Sequence, residues 1–394
     1  MQIAIAKPDF GVRGGFEVVM DHVAADLEGL GHHVSWLTVD ASIQQAEVEG
    51  LPIPDHVFSQ AAEYFRYLGI VEQFSHLDAR SFDVVLCTQP GSWSVRHDRK
   101  VALFYHHRRI FYDLADLYAV SGFVDPTIHE VCTTELRAAE APILDEVGHF
   151  LVPSTEVAAR LQRFNGVAAS RQSPFHAVGH VPREGFGVDP DATGPVLCVS
   201  RHEWPKRTEL AVSAAHQLEE PAPVVMVGSG GRLDHVHAVD RLLAEADGGP
   251  VDDEAFWRTA ATLPKPADGR TSPRVQLLGR VSDGQLEALY RRALCVVTPA
   301  LLEDYGLTAI EAMAYGKPVV ACHDGGGLLD TVRDGENGLV VEPTGRAIAE
   351  AVERLRAEPA LRKQLAAGAL DTAAEYTWTR AAAQLLAALD TAVA

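Results

Sequence analysis

No run of eighteen or more apolar residues occurs in the 394-residue sequence, so it offers no candidate transmembrane helix. The opening "MQIAIAKPDF" has neither a charged n-region nor a small-residue cleavage site, and it reads as a short apolar strand rather than a signal peptide. Cysteine is scarce. Cys87, Cys132, Cys198, Cys295 and Cys322 are odd in number and far apart, with no CxxC and no close Cys/His pair that would suggest zinc. Cys87, Cys198 and Cys295 lie in apolar runs and are expected as buried free thiols. A reduced, cytoplasmic protein follows. Neither GxSxG nor GxxxxGK[ST] occurs, which counts against a hydrolase elbow and a P-loop kinase.

Cations are the minority charge. Lys and Arg number 34 against 54 Asp and Glu, a formal net charge of −20. The excess is spread evenly, with 13 cations against 23 carboxylates through His180. Such a surface repels nucleic acid and anionic lipid headgroups, so neither nucleic-acid binding nor membrane association is expected. One basic cluster (Arg96, Arg99, Lys100, Arg108 and Arg109) breaks the trend. It reads as a solvated patch, with a phosphate-bearing partner as the alternative.

What the chain does contain is apolar character in short runs, 47% of all residues and enough for two cores. "QIAIA", "HHVSWLTV", "DVVLC" and "VALFYH" read as strands in the first half; "PVLCVS", "APVVMVG", "VQLLG", "CVVTPA" and "KPVVAC" follow in the second. Helical patterns lie between them. In "GGFEVVMDHVAADLEGLG" the residues Val18, Val19, Val23, Ala24 and Leu27 recur at helical spacing, and Gly29 and Gly31 mark the end. Alternating units of this length predict parallel sheets covered by helices on both faces, an α/β class. The alternation restarts near residue 195, after the Gly-, Pro- and Asp-bearing stretch "HVPREGFGVDPDATG", which has a linker's composition. Two doubly wound domains are therefore expected, over 1–185 and 186–375, followed by an alanine-rich amphipathic helix over 376–394. Residues 247–273 interrupt the rhythm with a polar, proline-bearing insertion, expected as a surface excursion.

Polar signals gather at the carboxyl ends of strands, where open α/β sheets bind ligands. Gly14 and Gly15 follow the opening strand and start a helix, a turn that admits a phosphate or merely a tight bend. In "CVSRHEWPKR", Arg201 and Lys206 supply a planar fork and a point charge suited to a diphosphate. In "LLEDYGLTAIEAMAYGKPVVA", Glu303 sits on a loop, and Gly306, Leu307 and Thr308 open a helix whose first N–H groups suit phosphate or sugar oxygens. Glu311, three residues after Thr308, shares its helix face and suits a ribose diol. Its surroundings are small and apolar, so a half-buried carboxylate there needs partners. His106 follows "VALFYH" as either a structural or a catalytic histidine. Asp189-Pro190-Asp191 matches a metal-binding DxD string but lies in the linker, where a turn is expected; no metal is expected at any site.

These residues together carry a resemblance. The sequence resembles the GT-B glycosyltransferases, and within them the large retaining family 4, through Glu303 and Glu311 as its E-x7-E motif and through "GGGLLDTVRDGENGLVVEP". Arg201 and Lys206 match the family's "GR…K" pair, Gly228 and Gly230 its "VGSG" turn, and Leu278-Gly279-Arg280 the segment that cups the base. The resemblance implies two Rossmann-like domains with an interdomain cleft, whose hinge closure excludes water, and a C-terminal helix, with Trp378, crossing back to the first domain. It implies that Arg201 and Lys206 hold the donor diphosphate with the amides of Gly15 and Thr308, and that Glu311 binds the ribose. Glu303 would bind the donor sugar beside the amides of Tyr305, Gly306 and Leu307, and His106 would contact that sugar. The implied reaction is metal-independent hexosyl transfer, with retention, from a UDP- or GDP-sugar co-substrate and with no further cofactor. "SRHEWPKR" lacks the family's common glycine after the lysine. The acidic first half favours a small soluble acceptor, such as a natural-product aglycone, over a phosphorylated or lipid-linked one, and "EYFRYLG", from Glu63 to Gly69, is a candidate lining for it. The insertion leaves room for a homodimer. The competing readings are a GT-B phosphorylase or epimerase relative, which lacks its pyridoxal-phosphate lysine signal here, and a non-catalytic sugar-nucleotide-binding protein.

Overall fold

The computed structural model describes residues 1–11, 14–41, 47–48, 50–179, 181, 189, 192–219, 223–246, 252–259 and 262–393. The chain divides into two compact units, Met1–Ala177 with Thr377–Ala394, and Val178–Tyr376. The sequence boundary at 185/186 lies outside the described residues, as do Pro190 and Asp191.

The first unit holds strands β1 (Gln2–Asp9), β2 (His33–Asp40), the short antiparallel pair β3 (Glu47–Val48) and β4 (Leu51–Pro52), then β5 (Val84–Cys87), β6 (Lys100–Leu103), β7 (His149–Val152) and β8 (Gln172–Pro174). Six of them form one parallel sheet in the order β2-β1-β5-β6-β7-β8. The run of fully buried residues from Ile3 to Ala6 explains the central place of β1, because a strand covered on both faces needs continuous apolar side chains. The order reverses between β1 and β5, which puts the topological switch point there. The expected strand "VALFYH" stops at Leu103, and Phe104 and Tyr105 continue as buried coil, so His106 stands three residues past the strand end.

The helix Gly15–Gly29 buries Val19, Met20, Val23, Ala24 and Leu27. Val18, expected inward, is 40% exposed, and Met20, two residues later, joins Val19 in the core. Gly31 stops the helix at φ +86°, a left-handed conformation open to glycine without steric cost. The helix Trp378–Val393 is part of this unit. It buries Ala381, Leu385, Ala388 and Leu389, Trp378 stacks on His22 at 4.3 Å, and Gln384 accepts the His176 amide at 2.9 Å.

The second unit holds β9 (Val196–Val199), β10 (Val224–Val227), β11 (Val275–Gly279), β12 (Cys295–Thr298), β13 (Val319–Cys322) and β14 (Gly338–Val341). They form one parallel sheet in the order β11-β10-β9-β12-β13-β14, with its switch point between β9 and β12. Its core joins Leu197, Val296 and Val319 of the sheet to Ala309, Ala312 and Met313 of the helix Leu307–Ala314.

Most described residues of the insertion are exposed, as expected of a surface excursion, but Trp257 and Ser272 are buried and anchor it to its unit. Trp257 is buried with the Arg207 guanidinium 5.2 Å above its ring, and Arg232 donates to the carbonyls of Phe256 and Thr259. Asp253 accepts from Ser213 and from the Gly345 amide, while Ser272 donates to Asp240. At these anchors the insertion satisfies buried polar groups of its unit, and most of the described residues between them stay exposed.

The five cysteines are free; Cys87, Cys198, Cys295 and Cys322 are buried, and desolvation pushes each of those four thiols up to about 12. Among the described residues no helix is long and apolar enough to cross a membrane.

Candidate functional site

In the second unit the loop after β9 and the loop after β12 are tied together. The Leu301 amide donates to the Pro205 carbonyl at 2.8 Å, and Lys206 Nζ donates to Glu303 Oε2. Arg207 holds the same two loops from beneath. Its guanidinium, fully buried, donates to the carbonyls of Pro299 (2.8 Å) and Ala300 (3.3 Å) and forms a fork on Asp324 (2.8 and 2.6 Å). Arg207 also has φ +47°, the left-handed backbone that glycine takes freely. Where the family commonly has its glycine, this chain keeps a left-handed turn and gains a cross-loop anchor. Arg201, by contrast, is exposed and makes no ion pair among the described residues.

Glu303 is held from its backbone. Its amide donates to the Gly325 carbonyl (2.9 Å) and its carbonyl accepts from the Gly327 amide (2.7 Å), so the loop pairs with the one after β13. Leu302 sits at φ +47°, an uncommon conformation for a leucine beside a candidate site residue. Gly326 is required there: a Cβ would lie 2.8 Å from backbone atoms of Leu302. Glu303 Oε1 accepts the Asp304 amide at 3.2 Å, leaving the carboxylate between Lys206 and its own loop.

Gly306, at φ +87°, starts the helix Leu307–Ala314. The amides of the first turn point toward the end of the helix where its dipole is positive. Thr308 and Glu311 are both half-buried on this helix. Tyr290, fully buried on the helix Asp283–Arg292, donates to Glu311 Oε2 at 2.8 Å. Its ring stacks on Tyr315 at 5.2 Å, and burial, then the Glu311 charge, pushes the Tyr290 hydroxyl well above its ordinary value. Gly179 packs against Glu311: a Cβ on it would meet Cγ and Oε1 at 2.5 Å.

Gly228 and Gly230 let two loops approach. A Cβ on Gly228, at φ +138°, would lie 1.8 Å from the Ser200 carbonyl oxygen, and one on Gly230 2.3 Å from that of His202. Gly279, at φ +63°, ends β11 and accepts from the Gly228 amide at 2.8 Å; Arg280 beside it is exposed. The second unit thus gathers Arg201, Lys206, Glu303 and the 305–308 turn around the adjacent ends of β9 and β12. Glu311 stands one helical turn on, and Gly279 and Arg280 stand two strands away at the end of β11.

Gly14, Gly15 and His106 belong to the first unit. The Gly14 amide donates to the Glu17 carboxylate at 2.8 Å, and Lys7 pairs with Glu17 at 3.2 Å, so an acidic side chain already occupies that helix start. His106 Nδ1 bonds the His107 carbonyl at 2.7 Å. Burial drives the neighbouring His107 down to about 3, which makes it a neutral imidazole that donates from Nε2 to Asn165 at 2.6 Å. His106 lines a cavity of about 270 Å³ together with Phe10 past β1, Gln89 and Pro90 past β5, and Glu63, Arg66, Tyr67 and Ile70 of the helix Ala62–Ser75. The "EYFRYLG" segment supplies this wall through three of its residues. The basic cluster does not act as one patch. Arg108 lines the cavity, Lys100 is buried against Glu146, Arg109 pairs with Asp113, and Arg96 and Arg99 are exposed.

Sequence reasoning missed Tyr290, Gly179, Arg207 and Asp324. The absent glycine at 207 was the signal for one of them; the others are joined only by the fold.

Residues 268–371 match the family of glycosyl transferases group 1. The chain is 38% identical over 152 residues to a D-inositol 3-phosphate glycosyltransferase of Nocardioides sp., covering 37% of this chain and 33% of that one. It is 32% identical over 217 residues to a protein of the same name from Stackebrandtia nassauensis, covering 52% and 48%. The chain therefore spans about a third to a half of the length of these relatives. In structure it is similar to a sucrose-phosphate synthase from Thermosynechococcus elongatus (TM-score 0.68, 20% identity, 98% of each chain). It is also similar to Anabaena Alr3699/HepE solved with UDP and glucose (TM-score 0.61, 16% identity, 99% of each chain). Two six-stranded parallel sheets and these neighbours show a GT-B fold, and the segment 268–371 carries the match to glycosyl transferases group 1.

Proposed function

We propose that the chain transfers a sugar from a nucleoside-diphosphate sugar to an acceptor hydroxyl, with retention at the anomeric carbon and without a metal. One observation carries the reading: Lys206, Glu303 and the start of the helix Leu307–Ala314 meet at the switch point of the second sheet, where open α/β sheets hold nucleotides. Charge develops on the diphosphate as the sugar leaves. In this reading Arg201, Lys206 and the helix N-terminus stabilise it, and the cross-loop bonds support the reading by holding Lys206 beside the loop that leads into the helix. The role of Glu303 is to orient the sugar hydroxyls, that of Glu311 to accept the ribose diol, and that of Gly279 and Arg280 to flank the base. In the first unit, Gly14, Gly15 and His106 are the residues that the family resemblance assigns to a sugar donor, His106 to its sugar. The leaving phosphate oxygen takes the proton of the attacking hydroxyl.

UDP is favoured as the nucleotide because a structural neighbour was solved with it. The names of the relatives favour a phosphorylated acceptor over the uncharged one that the acidic first half suggests. Incubation with UDP-glucose, UDP-N-acetylglucosamine or GDP-mannose and a panel of polyols and their phosphates tests the reading. An α-linked product from an α-linked donor, seen by proton NMR, supports it; a β-linked product contradicts retention, and no turnover with any donor favours the sugar-nucleotide-binding alternative.

A further inference from the structure

The first-unit cavity contains an ion triad that the donor chemistry does not use. Glu63 sends one carboxylate oxygen to Arg66 Nη1 at 2.8 Å and the other to Arg108 Nη2. Two cations thus share one anion, leaving an excess positive charge beside a cavity in a chain whose net charge is −20. Each guanidinium keeps further N–H donors, and all three side chains stay between 29% and 38% exposed, so the triad is reachable. Paired guanidiniums match the oxygens of a phosphate better than those of one carboxylate, since a phosphate offers more acceptors and a second negative charge. At about 270 Å³ the cavity suits a ligand of monosaccharide size, and Gln89 gives its hydroxyls a partner.

Resting on the sugar-transfer reading, we propose that Glu63 is a built-in counter-ion that holds Arg66 and Arg108 ready until the phosphate of a small polyol phosphomonoester displaces it. The acceptor is then anionic at one end and presents a hydroxyl at the other. Glu63 sets its affinity: it keeps the guanidiniums in place but competes with the incoming phosphate.

Calorimetric titration of inorganic phosphate, glycerol 3-phosphate and glycerol into the full chain tests this, alongside Arg66→Gln, Arg108→Gln, Glu63→Gln and Lys206→Ala. Glycerol 3-phosphate is expected to bind and glycerol not. Either arginine change should weaken binding about tenfold or more, Glu63→Gln should strengthen it, and Lys206→Ala should leave it unchanged. A gain in the Glu63 variant cannot arise from misfolding. Absence of phosphate binding in both the native chain and Glu63→Gln overturns the proposal, as do unchanged affinities in both arginine variants. Loss only in Lys206→Ala also overturns it, by placing the phosphate on the donor loops; the transfer reading then survives. UDP titrated in parallel separates the converse case, in which the anion site stands and the transfer reading falls.

Discussion

The Tyr290 hydroxyl donates to Glu311 Oε2 at 2.8 Å, and a Cβ on Gly179 would meet Oε1 of the same carboxylate at 2.5 Å. Between them they fix where the Glu311 carboxylate points. Tyr290→Phe keeps the stack on Tyr315 and removes only the donor. It should cost about 1 kcal/mol of stability and raise KM for the nucleotide sugar roughly fivefold. Gly179→Ala should act on the same KM by pushing on Oε1 of the carboxylate. Steady-state kinetics with a varied donor would read both, and an unchanged donor KM in both variants would remove Glu311 from the donor site.

Arg201 and Arg207 are six positions apart and should behave as opposites. Arg207→Ala removes a buried fork from Asp324 and two carbonyls, and is expected to cost about 3–5 kcal/mol, seen as a large fall in Tm. Arg201→Ala, at an exposed position, should leave stability within about 0.5 kcal/mol while weakening UDP binding. Equal thermal effects in the two variants would contradict this division of roles.

Gly228 is confined by the Ser200 carbonyl, 1.8 Å from where a Cβ would stand, and by φ +138°. Gly228→Ala is expected to destabilise the chain by at least about 1–3 kcal/mol through strain and forced separation of the two loops. Chemical denaturation followed by circular dichroism measures it; a midpoint unchanged from that of the native chain would show that the loops separate freely.

Glu140 sets a pH dependence. It is buried with Trp93 Nε1 donating at 2.9 Å and the hydroxyls of Tyr67 and Tyr112 also donating, and desolvation raises its carboxyl above the ordinary 4.5 despite those donors. A carboxyl raised in the folded state contributes stability that is fully present below its unfolded value and lost as pH rises through the folded one. Glu140→Gln keeps an acceptor for Tyr67 and Trp93 and offers its amide to Tyr112. The variant should therefore lose part of the decline in stability above pH 4.5, while Glu140→Ala, which strands three donors, should be less stable at every pH. Tm measured from pH 4 to pH 8 distinguishes these outcomes.

The α/β rhythm was legible because its signal is local. Runs such as "QIAIA" and "CVVTPA" are buried on both faces and read as continuous apolar stretches. The four-residue strand Gly338–Val341 and the three-residue strand Gln172–Pro174, which ends in proline, have too little apolar length to stand out. The sequence separated Lys206 and Glu303 by nearly a hundred residues, yet their pairing followed from both standing at strand ends that the sheet order makes adjacent. Tyr290 gave no such sign, since a tyrosine in an amphipathic helix is ordinary core until the helix Leu307–Ala314 is laid beside it. The cavity lining shows the same limit. Phe10, Gln89 and His106 meet only because β1, β5 and β6 are neighbours in the sheet.

Calorimetric titration of UDP and GDP, with their glucose, N-acetylglucosamine and mannose conjugates, into the native chain and into Lys206→Ala bears most directly on the donor site. The expected result is micromolar binding of one nucleotide and its sugars, weakened about tenfold or more in Lys206→Ala, whose lost ammonium leaves the diphosphate short of a charge-assisted bond. Equal binding in the two proteins, or none to any of these ligands, would contradict a donor site built on Lys206 and Glu303.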